Sequence, residues 1–179
     1  MKGMVFTEFL EMVETTFSAD MVDDILEDAD PASGGAYTAV GIYDHQELVD
    51  MVLALAKRTG NAPTELVQAF GRHLFSVFYQ RYPTFFDGVE DAFSFLAQVE
   101  DFIHPEVLKL YPDAQLPRFD CQRDGDQLEM IYHSSRHFAD LAEGLIAGCA
   151  QHFKEQILIQ REELSADSTR FLLTRPSTP

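Results

Sequence analysis

The chain has 179 residues, of which 46% are hydrophobic; that is enough for one ordinary domain with a real core and excludes a disordered chain. Its formal net charge of −17 sets it against the phosphates of nucleic acid and against anionic membrane surfaces. No apolar run approaches the ~20 residues of a membrane helix, and the start Met1-Lys2-Gly3-Met4-Val5-Phe6 lacks a signal-peptide core, so a cytoplasmic location is expected. Cys121 and Cys149 are too few and too far apart for a disulfide framework. Both are expected to be reduced, Cys149 as a packing residue.

The first hundred residues read as helices. Val5, Phe6, Phe9, Leu10, Met12 and Val13 form a helical stripe over residues 4 to 16. Ser18 can cap a second helix running to about Asp28, whose acids Asp20, Asp23, Asp24, Glu27, Asp28 and the following Asp30 read as a solvated face rather than a docking patch. Breakers over 30 to 36 mark a loop. Asp44 can cap a helix carrying Leu48, Met51, Val52 and Leu55 on one side and ended by Gly60. Pro63 sits near the start of a strong helix over about 62 to 81, and helical spacing returns over about 88 to 98.

The pattern changes after Pro112. Leu116 to Cys121 looks extended, Asp124-Gly125-Asp126 is a turn, and Leu128 to Ser135 reads as a strand. Residues 138 to 153 read as a helix. Ile157 to Glu163 and Thr169 to Thr174 predict a hairpin, and a tail from Arg175 is expected to fray. The order predicts an α+β fold: an N-terminal helical lobe (about 1–98) and a mixed part (about 99–179) with a small antiparallel sheet of about four strands, all within one domain.

Within that strand Tyr132, Ser134 and Arg136 would share a face. Two hydroxyls beside a guanidinium suit a group carrying two carboxylates. His104 offers a neutral imidazole for iron. Together they read as a haem site. Pro105 directly follows His104 and disfavours helix there, so either a helix begins at Pro105 or a longer helix is kinked at that point. His45, His73, His133, His137 and His152 are expected to be non-ligands. Glu100, Asp101 and Glu106 near His104 suggest acid–base chemistry, but no nucleophile or second base stands in register. No zinc-ligand spacing, phosphate loop or GxSxG is present.

The YxSxR motif at 132–136, the segment Ile103-His104-Pro-Glu-Val-Leu-Lys-Leu-Tyr-Pro with the later Leu116-Pro117, and the Met-Lys-Gly start resemble the H-NOX (haem nitric oxide/oxygen binding) family, which includes the haem domain of soluble guanylate cyclase. The resemblance covers nearly the whole chain and is to the bacterial stand-alone, NO-sensing type. It implies haem b between the two lobes, with His104 as axial iron ligand and Tyr132, Ser134 and Arg136 on the propionates. Pro117 would press on the haem from one side and Val5 would touch it from the other.

By position the resemblance also implies a distal wall of Leu74, Phe78, Leu141 and Leu145. Oxygen-binding members carry a distal tyrosine; that position falls at Leu141, and no tyrosine lies between 133 and 179. An apolar wall gives bound O₂ no hydrogen-bond donor, whereas NO needs none. The expectation is therefore a non-enzymatic NO sensor that also takes CO. NO would weaken the Fe–His104 bond, and the segment from His104 to Leu110 would move. A separate signalling effector, such as a histidine kinase or diguanylate cyclase, would read the change. An oxygen or redox haem sensor and a haem-free interaction module are the alternatives; a peroxidase-like enzyme is weaker, for want of a distal His–Arg pair.

Overall fold

A computed structural model describes residues 1–176. The chain forms two compact units, Met1–Phe70 and a second beginning at Gly71.

The first unit is helical. Helix α1 spans Gly3–Thr16, α2 Ala19–Ala29 and α3 His45–Thr59, and α4 (Pro63–Arg81) begins here and continues into the second unit. The caps are those expected from the sequence. The Ser18 hydroxyl accepts the Met21 N–H, and the Asp44 carboxylate accepts the Gln46 N–H. Gly60 ends α3 at φ 77°, a left-handed conformation that costs glycine nothing. Phe6, Phe9, Val13, Ile25, Met51, Leu55 and Phe70 form its buried core, with Phe9 and Phe70 edge to face at 5.3 Å. The Met-Lys-Gly start is tied down: Met1 donates its terminal amine to the Tyr43 carbonyl, and the Gly3 N–H is accepted by Gly41. A Cβ on Gly3 would lie 1.8 Å from the Thr38 carbonyl oxygen, so only glycine allows that approach.

The second unit contains the rest of α4, a 3₁₀ turn at Pro83–Phe86, α5 (Ala92–Ala97), a π-turn at Val99–Ile103, α6 (His104–Leu110) and α7 (Ala139–His152). Its sheet comprises β1 (Arg118–Asp124), β2 (Gln127–His133), β3 (Leu158–Ser165) and β4 (Ser168–Thr174), all antiparallel in the order β1-β2-β4-β3. The α+β class and the four-stranded antiparallel sheet are thus as expected. Leu128, Met130 and Tyr132 alternate inward from β2, and Phe171 and Leu173 from β4, onto Ala142, Ile146 and Cys149 of α7 and Phe93 of α5.

Three boundaries differ from the sequence reading. The helix expected over 88–98 is shorter, because Gly88 sits at φ 74° and Asp91 caps α5 in an extended conformation, accepting the Ser94 N–H. The strand expected to reach Ser135 stops at His133, since the Asp167 carbonyl takes the Ser134 N–H and His137 adopts φ 57°. Arg175 is not frayed: its N–H reaches the Asp126 carbonyl and its guanidinium binds Glu155 and Asp91 while lying 4.3 Å over Phe93. The expected tail at 177–179 lies outside the described residues. Both cysteines are free, and Cys149 is fully buried.

Candidate functional site

His104 stands where the π-turn meets α6. Its own N–H and that of Ile103 both bond five residues back, to the Val99 and Gln98 carbonyls. The structure combines the two readings left open by Pro105: a new helix, α6, starts at His104 just before the proline, and a π-turn runs directly into it. Pro105 falls in the first turn of α6, where its missing N–H costs little. His104 keeps helical angles (φ −60°, ψ −44°) in spite of the proline.

The imidazole is mostly buried, its side chain 14% exposed. Burial pushes its pKa down and outweighs the opposite pull of Glu100, so the ring is neutral near pH 7. Nδ1 lies 3.2 Å from Glu100 Oε2. An ionised carboxylate only accepts, so Nδ1 carries the proton and Nε2 keeps a free lone pair. Phe119 lies 6.0 Å from the imidazole, ring to ring, and 5.5 Å from Tyr132, its partner across β1 and β2.

Tyr132, Ser134 and Arg136 are brought together, though not by strand alternation. Only Tyr132 belongs to β2; Ser134 and Arg136 lie in the turn beyond it. The Tyr132 hydroxyl contacts Ser134 and the Phe138 backbone, and burial raises its pKa. Ser134 Oγ accepts the Arg136 N–H at 3.2 Å. The Arg136 guanidinium donates to the carbonyl oxygen of Gln115 at 3.3 Å and to its side-chain oxygen. Those two bonds leave three of its five donors. Pro117 is partly exposed just ahead of β1, and Val5 is partly exposed on α1 in the first unit.

Leu74 and Phe78 sit four apart on α4, and Leu141 and Leu145 four apart on α7, so each pair shares a helix face. The two helices touch backbone to backbone. A Cβ on Gly71 would come within 2.6 Å of the Leu141 carbonyl oxygen and 2.7 Å of Gly144 Cα. Leu74 is buried and the other three are partly buried; none of the four side chains carries a hydrogen-bond donor.

Three of the other histidines are engaged elsewhere. His133 Nε2 contacts Asp120 at 2.8 Å and His137 Nδ1 donates to the Ala166 carbonyl at 2.8 Å. His152 sits among the rings of Tyr79, Phe86 and Phe153. Among the described residues no cluster of three or more His, Cys, Asp or Glu could hold a metal ion by itself, so an iron here needs a macrocycle for its other ligands. The donor set fits haem: one neutral imidazole with Nε2 free, and a hydroxyl–guanidinium group for carboxylates. One contributor, Gln115, escaped the sequence reading, having no periodic signal. Glu100 is singled out there for acid–base chemistry near His104, whereas the structure makes it the hydrogen-bond partner of the imidazole.

Such an arrangement defines a haem-binding domain, and the comparisons name its family. The sequence matches the Haem-NO-binding family (HNOB) over residues 2–161. The fold is similar to the Fe(II) unliganded H-NOX protein from K. algicida, at 34% identity and TM-score 0.93 over 99% of this chain and 98% of that one. It is also similar to the S. oneidensis H-NOX protein in the Fe(II)NO state (30% identity, TM-score 0.90, 99% and 100% covered). The IWP-051-bound H-NOX from Shewanella woodyi in the Fe(II)CO state shares 41% identity, with TM-score 0.85 and 99% and 95% covered. No curated protein sequence matches significantly. The chain belongs to the H-NOX family of haem-binding gas-sensor domains. No helix among the described residues is long and apolar enough to cross a membrane.

Proposed function

We propose that this chain senses NO through haem b, without catalytic activity of its own, and signals to a separate effector in the cytoplasm. His104 would bind the haem iron through Nε2. Tyr132, Ser134 and Arg136 hold the propionates, and Pro117 contacts the porphyrin. The observation that carries the reading is the pairing of His104 with Glu100, which buries a neutral imidazole and leaves Nε2 free.

When bound, haem would supply an iron able to take a diatomic gas, with His104 as the protein's hold on that iron. The chain's residues do the rest. Leu74, Phe78, Leu141 and Leu145 offer no donor to a polar ligand and so favour NO and CO over O₂. His104 opens α6, so a released imidazole is free to carry that short helix with it. Phe102, Leu108 and Leu110, beside and on α6, expose apolar side chains (43%, 40% and 53%) whose presentation an effector of the histidine-kinase or diguanylate-cyclase kind would read. NO acts only through its unequal affinity for the two arrangements.

The test is the absorption spectrum of reduced protein, first anaerobic, then with NO, then in air. A spectrum that changes with NO and not promptly with air is expected. His104→Gly should lose the native haem spectrum unless imidazole is added. A stable oxy spectrum would overturn the NO assignment, and an unchanged His104→Gly spectrum would overturn the ligand.

A further inference from the structure

One carboxylate oxygen serves two masters at the ligand. Glu100 Oε2 accepts from His104 Nδ1 at 3.2 Å and from the Phe119 backbone N–H at 2.9 Å. Phe119 lies on β1, an edge strand of the sheet, and edge N–H groups are otherwise left without a strand partner. Glu100 itself lies in the π-turn, one turn before His104. The wide turn, the imidazole and the sheet edge therefore meet at a single atom. Nothing in the second unit's core requires a charge there: Glu100 is 35% exposed and could have stayed in solvent.

We propose that Glu100 is the positioning residue that sets the strength of the iron–His104 bond and clasps the His104 segment to β1. The inference rests on His104 being the axial ligand. A carboxylate on Nδ1–H fixes the tautomer and ring orientation and draws the proton away from the ring. Nε2 becomes more basic as a result, and its bond to a metal stronger. The same oxygen holds Phe119, so the imidazole cannot rotate away without giving up a contact that the sheet edge then keeps. Glu100 thus resists release of His104 and defines where the segment returns.

The test is resonance Raman spectroscopy of the reduced, haem-loaded protein, comparing wild type with Glu100→Gln and Glu100→Ala. The iron–histidine stretching band should move to lower frequency in Glu100→Ala. Glu100→Gln should fall between, because an amide oxygen accepts both bonds without the full charge. Haem affinity in Glu100→Ala should fall about 10- to 100-fold, the usual effect of losing such a partner. Hydrogen exchange at the Phe119 amide should quicken in Glu100→Ala with or without haem, and stay slow in Glu100→Gln. A band unmoved in both variants, whatever happens to Phe119, would overturn the inference and leave the His104 assignment standing. Absence of any iron–histidine band in the wild type would overturn that assignment and this inference together.

Discussion

Arg136 shows how a residue can be right and its setting different. The alternation Tyr-His-Ser-Ser-Arg reads as strand, yet the chain leaves β2 at His133. Ser134 then turns its hydroxyl onto the Arg136 N–H, and the guanidinium is aimed by Gln115 instead of by a pleat. The three residues still share one place, because a tight turn and a strand face both bring i and i+2 near each other. Arg136→Ala removes a charge-assisted partner for a carboxylate, worth about 2 kcal/mol. Haem affinity should fall roughly thirtyfold, measured by haem transfer to an acceptor protein; Gln115→Ala should have a smaller effect, since it only aims the fork. Equal affinity in Arg136→Ala would place the carboxylates elsewhere.

Among the elements, helices announced themselves where caps and stripes agreed. Ser18, Asp44 and Gly60 closed α2 and α3 where the apolar periodicity also stopped. Short elements under tertiary control were harder to read: α5 keeps only six residues, because Gly88 and Asp91 cut it from the front. The π-turn has no signature beyond Pro105, which allowed two outcomes. The α4–α7 contact was equally silent, since a glycine in a helix usually reads as a weakness. Here Gly71 is the condition for two backbones to meet. Valine at Gly71 would press on the Leu141 carbonyl and Gly144 Cα, both backbone, so no rotamer change relieves it. The cost should be about 3 kcal/mol, seen as a lower denaturant midpoint with an unchanged m-value. A midpoint equal to wild type would mean that the helices part easily.

For the molecule as a whole, charge and pH set the balance. Burial lowers the pKa of His104 and His152. The unfolded chain therefore takes up these protons first, and the stability they confer is lost as pH falls below their ordinary 6.5. At Asp91, burial opposes ionisation, but the Ser94 amide and hydroxyl and Arg175 win, so its pKa is lowered. Glu163 is lowered by the Thr169 hydroxyl and then by Arg161, against burial. Their contribution is full above the ordinary 3.8 and 4.5 and lost as pH drops through the lower folded values. Two successive declines in thermal midpoint are expected for the haem-free protein, one below about 6.5 and one below about 4.5. A midpoint that rises steadily from pH 7 to 4 would instead mean that relief of the −17 net charge outweighs these groups. The chain's overall class was open to reading from the sequence because helices and strands are segregated along it.

The π-turn at Val99–Ile103 amounts to a bearing adjustment. Each residue of an α-helix advances about 100° around the axis and 1.5 Å along it. A five-residue turn where four would nearly suffice offsets α6 in phase from α5. That offset decides which compass direction His104 faces, and so its reach to Phe119 and to Glu100. A chain one residue shorter over 99–103 would keep every side chain of the site and turn the imidazole more than a quarter circle away from them. Length, here, is used as an angle.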